Sequence, residues 1–174
     1  MKEVTVRETD LQQAAQKGMD AYIQVFVGAI HEAVGEELTA ETMSELNADQ
    51  ITLLAYCMLR DEVMDGGFVQ LIHNGYGPFF YRNPFDKAVR AWGMADLCHL
   101  IRKTHDLYNL YHEELERDCT DEEFMALFEQ HPEFDEYDDE FVENEERWTA
   151  IVANWVDDNI SRFAHVVTSG EAGK

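Results

Sequence analysis

Between Asp118 and Glu146 the chain holds fourteen carboxylates and neither a lysine nor an arginine. So dense a run of one charge cannot be buried, because an ion taken out of water without a partner is heavily penalised. Nor does it have the composition of a solvated tail. Tyr137, Phe141, Trp148 and Trp155 recur through and beyond it, and segments that stay disordered lack such rings. A helix reconciles the two demands. At about 100° per residue, Tyr137, Phe141, Trp148, Val152 and Trp155 gather on one side and Asp139, Glu143 and Glu146 fall opposite. Glu136 and Glu140 flank that ridge, and Asp157 returns to it. The final helix is expected to begin near Phe134 or Tyr137 and to carry its stripe through Phe163 and Val166. A shorter helix, Glu122–Phe128, precedes it and is closed by His131-Pro132.

The whole chain of 174 residues carries 36 acidic and 13 basic side chains, a net charge of −23. The 145 residues outside the acidic run account for only −9 of it. A general solubility device would be spread more evenly. This distribution excludes direct binding to DNA, RNA or an anionic bilayer, and it attracts a basic partner. No apolar run is long enough to span a membrane. Met1–Arg7 lacks the apolar region of a secretory signal, so the cytoplasm is the expected location. Three cysteines, Cys57, Cys98 and Cys119, are too few and too scattered for a disulfide framework. Cys57 and Cys98 fit as buried thiols on helix stripes.

The rest of the chain also reads as helix. Thr9–Gln12 has the form of a capping box, and Leu11, Ala15, Met19, Tyr22, Phe26 and Ile30 follow at helical spacing towards Gly35. Thr39 is placed to cap a short helix reaching Leu46. Asn47 and Gln50 repeat the box and open a helix through Leu53, Cys57 and Val63. Asn74-Gly75-Tyr76-Gly77-Pro78 is a break. Phe79, Phe80 and Tyr81 then form an aromatic loop tucked into the core. Asn83-Pro84 starts the next helix. Gly93 bends or splits a pattern that resumes from Leu97 to Tyr111. No strand alternation is evident. The expectation is an all-α fold, a single compact multi-helix domain of about six to eight helices. Within it, residues 1–46 form an N-terminal arm, 47–168 the helical core and 169–174 a polar tail.

Gly66-Gly67 interrupts the helix that starts at Asn47. A phosphate-cradling loop would need a preceding strand and either a Lys-Ser/Thr ending or a third glycine. None is present, and Asp61, Glu62 and Asp65 make the locality anionic. The backbone reading is preferred. Gly66 takes the left-handed conformation that closes a helix, and Gly67 permits close approach. Phe68 anchors a new short helix, while Gln70 and Asn74 satisfy backbone groups freed by the break.

Other chemistry is not supported. The seven histidines include no Glu-x-x-His and no His-Glu-x-x-His pattern. His105 and His112 share a helix face but have no third ligand. The acidic run lacks the alternation and central glycine of a calcium loop. Ser44, Ser161 and Ser169 have no nucleophile-elbow context. No catalytic residue, metal or cofactor is assigned.

Glu62, Gly66-Gly67-Phe68, Gln70 and Asn74 together resemble the signature of the DNA-mimic protein family, small acidic bacterial proteins built around a domain of unassigned function. The likeness extends through Ala91-Trp92-Gly93-Met94 and into the acidic run and the Trp-rich last helix, over about residues 48–166. Asp65 stands where the family usually has asparagine, and Leu71-Ile72 where aromatics are common. The resemblance implies an all-helical fold, a homodimer, and a negative surface that occupies the DNA-binding face of a transcription regulator. The residues expected to meet that basic, DNA-binding partner are Asp135, Glu136, Asp138, Asp139, Glu140, Glu143 and Glu146, with Asp121, Glu122 and Glu123 as a second patch. Two rival readings stay open. One is an immunity- or antitoxin-like inhibitor of a basic nuclease. The other is an enzyme or small-molecule binder with a pocket beside Gly66, Gly67, Gln70 and Asn74.

Overall fold

The computed structural model describes residues 1–170. Residues 171–174 of the expected tail lie outside the described residues. Among those described there are ten α-helices, and a two-stranded parallel sheet pairs the two ends of the chain. The helical class is as expected, but the count of six to eight is corrected to ten.

The residues group into two units, one of 1–54 with 149 onward, the other of Ala55–Trp148. In the first, β1 (Thr5–Arg7) runs parallel to β2 (His165–Val167), with Val6 opposite Val166. Val166 therefore lies in a strand and does not extend the last helix. Strands of three residues are too short to show a period of two. Helix α1 (Glu8–Lys17) follows β1 directly. Extended Arg7 is its N-cap residue, so Thr9 lies inside the helix and its expected box is not formed. Gly18, at φ 128°, ends α1 and α2 (Met19–Val34) begins after it, splitting what the apolar spacing presents as one helix. Gly35 then closes α2 with its N–H donating to the His31 carbonyl.

Ile23, Phe26 and Ile30 of α2 are fully buried. Phe26 meets Phe163 edge-on at 6.2 Å. Short α3 (Ala40–Ser44) is capped by Thr39 in a reciprocal box with Thr42. The Asn47–Gln50 box forms as expected, with both side chains accepting backbone N–H groups at 2.9 and 3.0 Å. The same two amides donate to the carbonyls of Arg162 and Phe163, holding the end of α10 (Ile160–Phe163).

Helix α4 (Ala48–His73) crosses into the second unit, which also contains α5 (Gly77–Arg82), α6 (Phe85–Ala91), α7 (Ala95–Leu115) and α8 (Asp121–Gln130). The expected aromatic loop 79–81 is in fact α5, with Phe80 and Tyr81 buried as foreseen. Asn83 does not cap α6; its amide donates to the Phe79 carbonyl and finishes α5. Gly93, at φ 97°, separates α6 from α7. Helix α9 (Asp135–Asp158) begins between the two expected starts. Phe68, Phe141 and Trp148 stack edge-to-face at 6.2 and 5.2 Å, and the Trp148 indole donates to Asp96 at 3.0 Å. Among the described residues no helix is long and apolar enough to cross a membrane. Cys57 and Cys98 are buried thiols.

Candidate protein-interaction surface

The acidic side chains divide by what they touch. On α9, Asp135, Glu136, Asp139, Glu143 and Glu146 are exposed and Glu140 is half-buried. Asp139, Glu143 and Glu146 succeed one another at i+4 and i+3, a spacing of roughly 5–6 Å along one ridge. Beneath them Phe134, Phe141, Trp148 and Val152 are fully buried and fix the rotation of the helix. On α8, Asp121, Glu122 and Glu123 occupy the exposed first turn. Carboxylates are favoured there because the N-terminal N–H groups carry partial positive charge. Glu123 is further tied down, accepting the Thr120 N–H at 2.9 Å while Thr120 accepts from Glu123. None of these carboxylates is ion-paired with a Lys, Arg or His among the described residues. Arg147, the cation that follows the ridge on α9, is instead engaged by Asp96 and by Asn144.

Asp138 differs from its neighbours. It is turned inward, and its carboxylate accepts the Phe68 N–H at 2.8 Å. Burial, with Asp135 and Asp139 adding to it, pushes its pKa up to about 6, despite the opposing hydrogen bond. The position explains this. Asp138 follows Phe134 by four residues and precedes Phe141 by three, so it lies on the buried side of α9.

The partner of Asp138 is the kink in α4. Gly66 has φ −144° and ψ 18°, so it is Gly67, at φ 72° and ψ −175°, that takes the positive φ. The left-handed residue is thus one position later than the sequence suggests. A Cβ on Gly67 would enter the Asp138 carboxylate, and one on Gly66 would enter the Gln70 side chain. Gln70 and Asn74 do not serve freed backbone groups either. Gln70 donates to Glu62 at 3.0 Å and to Asp65 at 2.9 Å, and Asn74 donates to Glu62 at 2.9 Å. In a straight helix Glu62 and Asn74 would be about 18 Å apart along the axis. Only the bend at the glycines lets them meet. Glu62, Gly66, Gly67, Phe68, Gln70 and Asn74 therefore form one structural device. The space beside its glycines is filled by Asp138 and Gln70.

Two exposed apolar residues on the acidic helices had no place in the sequence reading. Val142, 52% exposed, flanks the ridge three residues after Asp139 and four before Glu146. Met125, 64% exposed, follows Asp121 by four on α8. Their signal is local: each is an apolar residue within a helical turn of several acids.

A helical scaffold with buried rings beneath carboxylates that no described cation pairs with defines an acidic, mostly helical protein. The model of the family described as DMP19-like protein matches residues 44–159, and the chain belongs to that family. The match spans α4 with its kink and the whole of α9, and leaves out β1, α1, α2, all but the last residue of α3, α10 and β2. The chain is also similar to the DNA mimic protein DMP19 of Neisseria meningitidis serogroup B. The two are 35% identical over 127 residues, covering 72% of this chain and 77% of that protein.

Proposed function

We propose that this chain is a non-enzymatic DNA mimic, and that the face bearing Asp135, Glu136, Asp139, Glu140, Glu143 and Glu146, with Asp121, Glu122 and Glu123, occupies the DNA-binding surface of a basic protein. The observation that carries this reading is that these carboxylates are unpaired by any described cation of the chain while the residues beneath them are fixed. A partner's arginines and lysines would supply what is missing. The family and the name of the Neisseria relative support the same reading.

Charge density sets the form of the complex. One DNA strand places a phosphate about every 3.4 Å along its axis, whereas neighbouring carboxylates on a helix are roughly 5–6 Å apart. One ridge is too sparse to stand in for a duplex. Two ridges, or two copies of the chain in a homodimer, would approach the required density. We assign the partner as a transcription regulator in the cytoplasm. Asp138 is left out of the binding face because its carboxylate is committed to Phe68.

The test is capture from a source lysate at low salt on the immobilised native chain, with Asp139→Asn/Glu143→Gln/Glu146→Gln as control. The proposal expects a basic DNA-binding protein that the control retains weakly, that salt releases, and that duplex DNA displaces. A partner that duplex DNA does not displace would overturn mimicry. A nuclease among the captured proteins would select the inhibitor reading.

A further inference from the structure

Away from the ridge, α4, α7 and α8 converge on a pair of side chains that the acidic face does not use. His73, in the last turn of α4, places Nδ1 2.8 Å from the Leu115 carbonyl oxygen at the end of α7. A carbonyl can only accept, so Nδ1 carries the proton and the neutral ring presents a lone pair at Nε2. That lone pair lies 4.0 Å from the Cys119 sulfur. The ring is held in place by Phe124 of α8, 4.5 Å away and tilted by 30°. A nucleophile, a base within reach of it and a third group fixing the base make the arrangement of an activated thiol.

Cys119 immediately precedes Thr120, the N-cap of α8, and His73 occupies the C-terminal turn of α4. Both side chains are half-buried, so small reagents can reach them, whereas Cys57 and Cys98 are only 6% and 2% exposed. The surrounding sequence is anionic: Asp118, Asp121, Glu122 and Glu123 are set against the single cation Arg117. Such surroundings repel negatively charged reagents and attract positive ones.

We propose that Cys119 is a modification site: a thiol whose proton His73 accepts, and which takes small, positively charged disulfides as its ligands. In the reaction the Cys119 proton passes to His73 Nε2 and the sulfur attacks one sulfur of R–S–S–R. The Cys119–S–S–R bond forms as the S–S bond of the reagent breaks. The departing RS⁻ takes the proton from the imidazolium, so Cys119 is oxidised and half of the reagent is reduced to RSH. Neither the family assignment nor the mimicry proposal enters this argument.

The test uses the full chain with cystamine, 2-hydroxyethyl disulfide and oxidised glutathione, following the site of modification by mass spectrometry. Cys119 is modified first, with cystamine fastest and oxidised glutathione slowest, and the spread narrows at high salt. His73→Asn keeps an amide N–H for the Leu115 carbonyl but has no base. It slows the reaction about tenfold or more, at or below the 10²–10⁴ range of a well-aligned general base because the sulfur–nitrogen contact is long. Added imidazole restores part of the loss. Asp118→Asn/Asp121→Asn/Glu122→Gln leaves the dyad untouched and loses the preference for cystamine, which keeps the charge argument testable should His73→Asn fold poorly. The inference is overturned if His73→Asn reacts at the native rate, since Cys119 would then be merely exposed. Faster reaction with oxidised glutathione than with cystamine, or modification of Cys57 or Cys98 ahead of Cys119, also overturns it.

Discussion

Two sets of three carboxylates in the Ala55–Trp148 unit lead opposite lives. Asp139, Glu143 and Glu146 stand on α9 without a cation among the described residues. Glu62, Asp65 and Asp138 meet at the α4 kink, where each accepts a hydrogen bond from an amide or a backbone N–H. In the first set charge is presented; in the second it is consumed to hold a backbone in a conformation open only to glycine. Residue type does not separate the two sets. What separates them is whether the helix rotation and the bend bring a donor within reach.

The comparison breaks hardest at Gly67. A Cβ there is forced into a region of φ/ψ nearly exclusive to glycine, which costs about 1–3 kcal/mol. It also expels the Asp138 carboxylate from its cap, worth about another 1 kcal/mol. Gly67→Ala should therefore lose about 3 kcal/mol in chemical denaturation, while a second glycine change outside the kink, Gly28→Ala, with open space around it, should not. Equal losses for the two would mean that the kink is not a special point of the fold.

The ridge should respond in the opposite sense. Asp139→Asn/Glu143→Gln/Glu146→Gln removes like charges about one turn apart and should leave stability unchanged or raise it by a few tenths of a kcal/mol per pair. Binding to a captured partner should weaken by about 2 kcal/mol, roughly thirtyfold in Kd, with a shallower salt dependence. Val142→Ser should lower affinity by a smaller factor that does not change with salt, because the contact it removes is apolar. A ridge variant that melts early would place these acids with the kink set.

Glu62→Ala sharpens the contrast from the other side. It strips Asn74 of its carboxylate partner and leaves Gln70 with Asp65 alone. The expected loss is about 1–2 kcal/mol of stability, with affinity for the partner unchanged once the protein is folded. Denaturant midpoints and binding measured on the same preparation separate the two effects.

Much of this was legible in the sequence because it is local. The cap at Thr39, the box at Asn47–Gln50, the ends at Gly35 and Gly75, the split at Gly93 and the ring-to-acid rotation of α9 all depend on residues within a few positions of one another. What was missed is long-range or very short. Gly18 broke a helix whose apolar spacing continues on both sides. The two strands are too brief for a pattern and pair across nearly the whole chain. Asp138 and Phe68 are seventy residues apart, so no spacing rule joins them. Its inward turn was nevertheless available from angle alone, since Phe134 and Phe141 bracket it on the core side. Grouping Asp138 with Asp139 by charge hid that. Cys119 and His73 are likewise distant in sequence and meet only where α4 and α8 approach.

Asp138 gives the smallest effect and the most exacting check. Its folded pKa of about 6 lies above the ordinary value of 3.8, with burial as the first cause. The folded state therefore binds this proton more tightly than the unfolded state does. The stability gained in this way is fully present below about pH 4 and is lost as pH rises through about 6. Above that the ionised carboxylate is held at the kink at a cost. Asp138→Asn retains an oxygen that can accept the Phe68 N–H but carries no charge. At pH 7 it should be more stable than the native chain by about 0.5–1 kcal/mol, after discounting for the solvent that still reaches the site. The advantage should fade between pH 6 and pH 4 in parallel urea titrations. A variant less stable at pH 7 would show that the charge strengthens the cap by more than burial weakens it. Asp138 would then hold the kink because it is ionised, and the line between its set and the ridge would be one of geometry alone.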